Sequence, residues 1–276
     1  MFILNEEEDV YEVAGYNGTD AKVIIPEIYR GKETVIKSGY ATQGWGVFSF
    51  SAIEEVFVGA KKIGYGAFAS NLSLKKVEIN STSIGDSAFS GCSGLESVIV
   101  GDRVTHIGEG VFSFCGGLES VVIGTGVTQI SDSAFLNCPN LMGIEVAKNN
   151  FSYKSINGNL YSKDGKILIQ YAAGKTETNF IIPDIVETIA DSAFRMCKLN
   201  RVEISDSVNK IEDCAFWGCT NLESVVIPES VTSVGHDIFQ LSNEDLIIYC
   251  EAENKPDGWK EGWNMSHFTV VWGYKG

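Results

Sequence analysis

The sequence is poor in basic residues and has no long apolar segment. Lys and Arg number 21 against 36 Asp and Glu, so the formal net charge is −15. Phosphate backbones and anionic lipid surfaces both attract clustered Lys and Arg, and this charge therefore disfavours each of them as a partner. No apolar run approaches the roughly 18 residues of a membrane-spanning helix. We expect neither a nucleic-acid partner nor membrane insertion.

Motifs of known catalytic and cofactor sites are also missing. The sequence has no Gly-x-Ser-x-Gly elbow, no phosphate-binding Gly loop and no His-Glu-x-x-His helix. The three histidines, His106, His236 and His267, have no nucleophile or carboxylate at motif spacing. The seven cysteines form no Cys-x-x-Cys pair and no zinc spacing with histidine. The sequence predicts that the protein is not an enzyme and holds no metal and no cofactor.

What the sequence does contain is an internal repeat. A phenylalanine preceded by Ala, Val or Ile recurs at intervals of 21 to 23 residues, with one longer gap. An aliphatic residue stands five positions before each phenylalanine, and an alternation such as Val98 and Val100 follows it. These phenylalanines are Phe68, Phe89, Phe112, Phe135, Phe194, Phe216 and Phe239. Stacked copies would align each position into a buried ladder, so the repeat predicts a solenoid with parallel pairing between successive strands.

The repeat resembles a known family. Leu222-Glu-Ser-Val-Val-Ile-Pro-Glu-Ser-Val-Thr-Ser-Val-Gly, together with the Ala-Phe-x-x-Cys corner, is similar to the BspA-type leucine-rich repeat. The resemblance covers nearly the whole chain. It implies an α/β leucine-rich-repeat solenoid with a parallel β-sheet on the concave face, short turns or helical corners on the other face, and one β-hairpin insertion.

We expect one solenoid domain over residues 1–276. Its parts are an N-terminal cap (1–45), repeats (46–146), a hairpin insertion (147–183), repeats (184–247) and a C-terminal cap (248–276). Asn157-Gly158 and Asp164-Gly165 are hairpin turn signals and predict strands at 159–163 and 166–171. Tyr249, Trp259, Trp263 and Trp272 are expected to cover the core at the C-terminal end.

Five of the cysteines hold one repeat position, three residues after the phenylalanine. They are Cys92, Cys115, Cys138, Cys197 and Cys219. A buried free cysteine behaves as a small apolar residue, so we expect reduced thiols that pack in a ladder. A strained disulfide between neighbouring ladder thiols is the alternative.

Alternate strand residues face opposite sides of a sheet, so each repeat also presents one outward residue at mid-strand. A mostly apolar outward column favours protein binding, because soluble proteins rarely leave large apolar patches open. The alternative is plain strand propensity, since β-branched residues are favoured in strands that bind nothing. The expected column is Phe57, Glu78, Ile99, Val122, Glu145, Ile181, Glu203, Val226 and Ile247.

The family resemblance implies a bacterial secreted or cell-surface protein that binds host or extracellular proteins, or other cells, without catalysis. The N-terminal Met1-Phe2-Ile3-Leu4 and the acids after it do not resemble a signal peptide. Two alternatives therefore stay open. One is a cytoplasmic protein-interaction scaffold, and the other is a structural spacer within a surface protein.

Overall fold

The computed structural model describes residues 1–16, 18–38, 46–49 and 51–276. Residues 39–45 of the expected N-terminal cap lie outside the described residues, as do Asn17 and Phe50. The chain divides into two compact units, Met1–Ser152 and Tyr153–Gly276. A single solenoid domain over the whole chain stays a prediction.

The first unit contains two sheets that run through the repeats. Its strands are β1 (Phe2–Asn5), β2 (Val10–Val13), β3 (Lys22–Ile25), β4 (Ile28–Tyr29), β5 (Lys32–Ile36), β6 (Glu55–Val58), β7 (Lys62–Ile63), β8 (Lys76–Ile79), β9 (Ser83–Ile84), β10 (Ser97–Val100), β11 (His106–Ile107), β12 (Ser120–Ile123), β13 (Gln129–Ile130) and β14 (Gly143–Val146). A long-strand sheet has the order β14-β12-β10-β8-β6-β3, and a short-strand sheet has the order β1-β2-β5-β7-β9-β11-β13. Pairing between successive repeats is parallel in both.

The second unit repeats this arrangement. Its strands are β15 (Tyr153–Ile156), β16 (Asn159–Ser162), β17 (Ile167–Gln170), β18 (Asn179–Ile181), β19 (Thr188–Ile189), β20 (Arg201–Glu203), β21 (Lys210–Ile211), β22 (Ser224–Ile227), β23 (Ser233–Val234), β24 (Ile247–Cys250) and β25 (Thr269–Trp272). The long-strand sheet is β18-β20-β22-β24-β25, and the other sheet is β15-β16-β17-β19-β21-β23.

The expected α/β class with helical corners is wrong, because the described residues contain no helix. The corner around Phe89, residues 87–92, shows why. Every second amide there bonds to the carbonyl oxygen three residues back, and the amides between them cross to the next repeat. The crossing bonds run from Ser87, Phe89 and Gly91 to Glu109, Val111 and Ser113, at 2.8–2.9 Å. An α-helix would need all of these amides for its own i→i−4 bonds.

Residues with positive φ on both sides of the phenylalanine enforce this pattern in most repeats; beside Phe135 only Asn137 has positive φ. Around Phe89, φ is 56° at Ser87 and 71° at Gly91, in the left-handed region. Two such residues in one corner prevent a continuous right-handed helix. The same flanking pairs recur at Gly66 and Ser70, Gly110 and Phe114, Ser192 and Met196, Cys214 and Gly218, and Asp237 and Leu241.

The phenylalanines form a stacked column inside each unit. In the first unit, the ring centroids from Phe48 through Phe68 and Phe89 to Phe112 and Phe135 are 4.4–5.8 Å apart. In the second unit, the column begins with a tyrosine. Its members are Tyr171, Phe194, Phe216 and Phe239, at 4.9–5.4 Å.

The expected insertion contains an antiparallel meander at the start of the second unit. Strands β16 and β17 match the strands expected at 159–163 and 166–171 to within a residue at each end, while β15 was not predicted. Asn157 and Gly158 both have positive φ, as the turn signal required. After β17, Tyr171 donates its amide to Ala193 O (2.8 Å) and supplies the first ring of the column. The meander therefore leads directly into the repeats.

Tryptophans cover the core at the C-terminal end of the second unit, but Tyr249 does not join them. Trp259 and Trp263 are buried, and their rings are 4.8 Å apart. The ring of Trp272 lies 5.8 Å from that of Trp259. Tyr249 instead packs on Tyr274 at 4.7 Å. It occupies the third position of β24, where the strand alternation turns a side chain outward.

The ladder position after each phenylalanine holds a hydrogen-bond donor. The thiols of Cys115 and Cys219 donate to the carbonyl oxygens of Phe89 and Phe194, one repeat earlier, both at 3.2 Å. Cys92 and Cys138 make the same bond to Phe68 and Phe112. Where the position is not cysteine, Asn71 donates to Phe48 O (3.0 Å) and Ser242 to Phe216 O (2.8 Å). A small side chain at this position therefore donates a hydrogen bond to the neighbouring repeat. The sequence had indicated only that the side chain packs in the core.

All seven cysteines are free in this structure, so no ladder disulfide is present. Cys197 makes a thiol contact to Cys219, with 3.2 Å between the sulfur atoms. Burial raises the pKa of Cys92 and of Cys138 to about 12. These thiols stay protonated at neutral pH and remain able to donate.

The left-handed corner predicts a difference between two glycine-to-alanine variants. Gly91→Ala should lower the free energy of unfolding by about 1–2 kcal/mol, because an added Cβ is strained at positive φ. Gly116→Ala should leave it unchanged or raise it by about 0.4–1 kcal/mol, since that Cβ meets open space at an ordinary φ. Urea unfolding of both variants checks this. Equal losses would contradict the left-handed corner.

The donor ladder predicts that serine replaces cysteine better than alanine does. Cys115→Ser can still donate to Phe89 O, whereas Cys115→Ala leaves that bond unmade. The serine variant should be the more stable of the two by about 1 kcal/mol in urea unfolding. If the position only needs a small apolar side chain, alanine will be the better replacement, and the donor ladder is wrong.

Candidate functional site

The long-strand sheet of the first unit exposes one face between its buried positions. Along each strand the second and fourth residues point inward, as Val98 and Val100 do at 1% exposure. The first and third residues point outward, because strand side chains alternate. Of the third-position residues, Ile99 is half-buried and Val122 is 38% exposed.

The register aligns these third-position residues into a row, which we call the outer row of the first unit. The sequence prediction of this row holds from Phe57 to Glu145, and the structure adds Ile24 before it, 67% exposed. The outer row is Ile24, Phe57, Glu78, Ile99, Val122 and Glu145. The row beside it, at the first strand positions, is Lys22, Glu55, Lys76, Ser97, Ser120 and Gly143.

The second unit has an outer row of its own. Ile181, Glu203 and Val226 align as expected, but the next member is Tyr249 and not Ile247. Ile247 pairs with Ser224 and belongs to the first-position row. The outer row of the second unit is Ile181, Glu203, Val226, Tyr249 and Val271. The spacing from the phenylalanine could have found Tyr249, since Val226 and Tyr249 each lie ten residues after Phe216 and Phe239.

Charge is unevenly distributed over the outward face of the first unit. Near β3 to β8 two of the acids are paired with lysines: Lys22 with Glu55 at 3.1 Å, and Lys75 with Glu54 at 2.9 Å. Such exposed pairs contribute little to stability. Toward β10 and β12, the first-position residues are the small Ser97 and Ser120. The apolar outer-row residues Ile99 and Val122 are therefore accessible there.

The described residues contain no candidate metal site. No group of three or more His, Cys, Asp and Glu in that part of the chain could hold a metal ion. The ring of His106 is hydrogen-bonded to Gln129 on the neighbouring strand at 3.1 Å. In the second unit, burial raises the pKa of Asp191, whose carboxylate accepts a hydrogen bond from Ser192 at 2.7 Å.

Among the described ranges, no helix is long and apolar enough to cross a membrane.

The family model of the BspA type leucine rich repeat region matches six copies in the chain, over residues 36–168 and 170–254. The chain therefore belongs to the BspA-type leucine-rich-repeat family, as the repeat motif indicated. A comparison with curated protein sequences finds no match.

Several solved structures are similar to this chain. A leucine-rich repeat protein from Eubacterium ventriosum ATCC 27560 is 31% identical, with a TM-score of 0.62, over 80% of this chain and 66% of that one. This chain thus spans just under two thirds of that protein. A leucine rich cell surface protein from Faecalibacterium prausnitzii A2-165 is 23% identical, with a TM-score of 0.51, over 99% and 93% of the two chains. The pneumococcal vaccine antigen PcpA is 18% identical, with a TM-score of 0.58, over 97% and 83%.

Proposed function

We propose that this chain is a non-enzymatic protein-binding module of a bacterial secreted or cell-surface protein. It binds through the outer row of its long-strand sheets, with Ile99 and Val122 at the centre in the first unit and Ile181 and Val226 in the second. The observation that carries the proposal is the register of Ile99 with Val122, which puts two outward apolar side chains on neighbouring strands.

The energetics favour a binding role for this pair. Apolar surface removed from water contributes roughly 25 cal/mol per Å², so two branched side chains can anchor a contact. The sheet holds them on a rigid frame, because the inward residues of the same strands are buried. Little conformational entropy is then lost on binding. Strand propensity alone would also place β-branched residues at these positions, and the charge variant below distinguishes the two explanations.

The location at the cell surface rests on the family and on the relatives. The Faecalibacterium protein is described as a cell surface protein, and PcpA as a vaccine antigen. A shared fold alone does not fix a function, so the location needs its own test.

A charge placed on the outer row should abolish binding. In Ile99→Asp/Val122→Asp, two desolvated carboxylates would replace the apolar anchor, and we expect at least about a tenfold loss of binding to the proteins that wild type recognises. The measurement is the binding of labelled full-length chain to an array of purified extracellular proteins. The matched control is His106→Asp/Gln129→Asp, which puts two carboxylates at exposed positions of the short-strand sheet. An unchanged pattern in the folded Ile99/Val122 variant would refute the binding face.

Protease treatment of intact producing cells tests the location. We expect trypsin to remove the protein from the cells while a cytoplasmic marker stays intact. The unfolding midpoint of the purified chain in the same buffer serves as the control that cleavage reports access and not instability. Release of the protein only after lysis would exclude a surface protein and favour an internal scaffold.

A further inference from the structure

Four carboxylates surround the apolar pair Ile99 and Val122. In the outer row, Glu78 precedes Ile99 and Glu145 follows Val122. Glu96 and Glu119 stand directly before β10 and β12, the strands that carry the pair. All four glutamates are exposed.

None of these four carboxylates forms an ion pair within the part of the chain that the structure describes. This contrasts with Glu54 and Glu55 on the same face, which pair with lysines. Two lysines lie near the group: Lys76, at the first position of β8 beside the strand of Ile99, and Lys75, which pairs with Glu54 and also interacts electrostatically with Glu96. The surroundings of the pair therefore keep an excess of negative charge.

Two of the glutamates occupy the same position of neighbouring repeats. Glu96 and Glu119 stand directly before the paired strands β10 and β12, and the amide of Glu119 bonds to Glu96 O at 2.9 Å. Like charges on neighbouring strands repel one another. A cationic partner would relieve this repulsion, and its attraction to the glutamates would also speed association.

We propose that the outer row of the first unit binds a protein segment in which a large apolar side chain is flanked by Lys or Arg. The apolar side chain packs on Ile99 and Val122, and the basic groups meet the four glutamates. The neighbours of the pair at the first strand positions, Ser97 and Ser120, are small. Nucleic acids and anionic lipids are repelled by the same charges. This inference rests on the proposed binding function and names the chemistry of the partner.

A random peptide library identifies the preferred chemistry directly. Phage-displayed 12-residue peptides are selected on the immobilised full-length chain, in a buffer with EDTA so that no divalent cation bridges the glutamates. We expect the selected peptides to be enriched in Lys or Arg next to a large apolar residue. A synthetic copy of the most enriched peptide is then the probe, and Ile99→Asp/Val122→Asp should lose its binding.

The charge contribution is measured with Glu96→Gln/Glu119→Gln. Binding of that probe should weaken about threefold to tenfold, and raising the salt from about 0.05 M to 0.5 M should weaken wild type in the same way. The matched control is Glu244→Gln/Asp245→Asn, two exposed acids of the second unit, which should change binding less than about twofold. Removing the repulsion should leave Glu96→Gln/Glu119→Gln at least as stable as wild type in urea unfolding.

The outcomes separate this inference from the proposed function. If the selected peptides are neutral or acidic, or if Glu96→Gln/Glu119→Gln binds the probe as well as wild type, the basic partner is wrong. Loss of the same peptides in Ile99→Asp/Val122→Asp would then still support the binding face. If no selected peptide depends on Ile99 and Val122, both the basic partner and the binding face of the first unit are wrong.

Discussion

The crossing of alternate corner amides to the next repeat is the constraint on which both units depend. Left-handed residues such as Ser87 and Gly91 direct these amides away from their own turn. One repeat therefore satisfies its backbone only when another is stacked on it, and buried unpaired amides are costly. The same stacking brings the rings of Phe89 and Phe112 to 5.7 Å and lets ladder donors such as Cys115 reach the preceding phenylalanine carbonyl. Backbone hydrogen bonding and core packing therefore depend on the same stacking of repeats.

The ladders could be predicted from the sequence, but the corner conformation could not. Spacing alone places the phenylalanines and cysteines, because every copy of a solenoid repeats the same geometry. The left-handed positions are held by residues as different as Phe114, Cys214 and Leu241 as well as by glycine, so they leave no compositional signal. A run such as Ile-x-x-x-Ala-Phe then resembles a helix. Only the hydrogen bonds to the next repeat, which are not local in sequence, decide against it.

The outward residues of a strand could be predicted wherever the inward residues were correctly identified. Alternation identified Ile99 and Val122 as outward because Val98 and Val100 are plainly inward. It failed at Ile247, which lies eight residues after Phe239, whereas Ile99 and Val122 each lie ten residues after their phenylalanines. The charge environment was out of reach for another reason. The repeat spacing aligns Glu96 with Glu119, but which carboxylates pair with a lysine depends on side-chain contacts between repeats, such as that of Lys75 with Glu54.

Inward and outward residues of one strand have separate physical roles. Val98 and Val121 are held by the core, where a change of even one methylene is costly. Ile99, Val122 and their glutamates make no contribution that the core requires, so they can vary without loss of the fold. A contact on this face, such as the one proposed above, can therefore change in its chemistry while the buried part of the repeat stays the same.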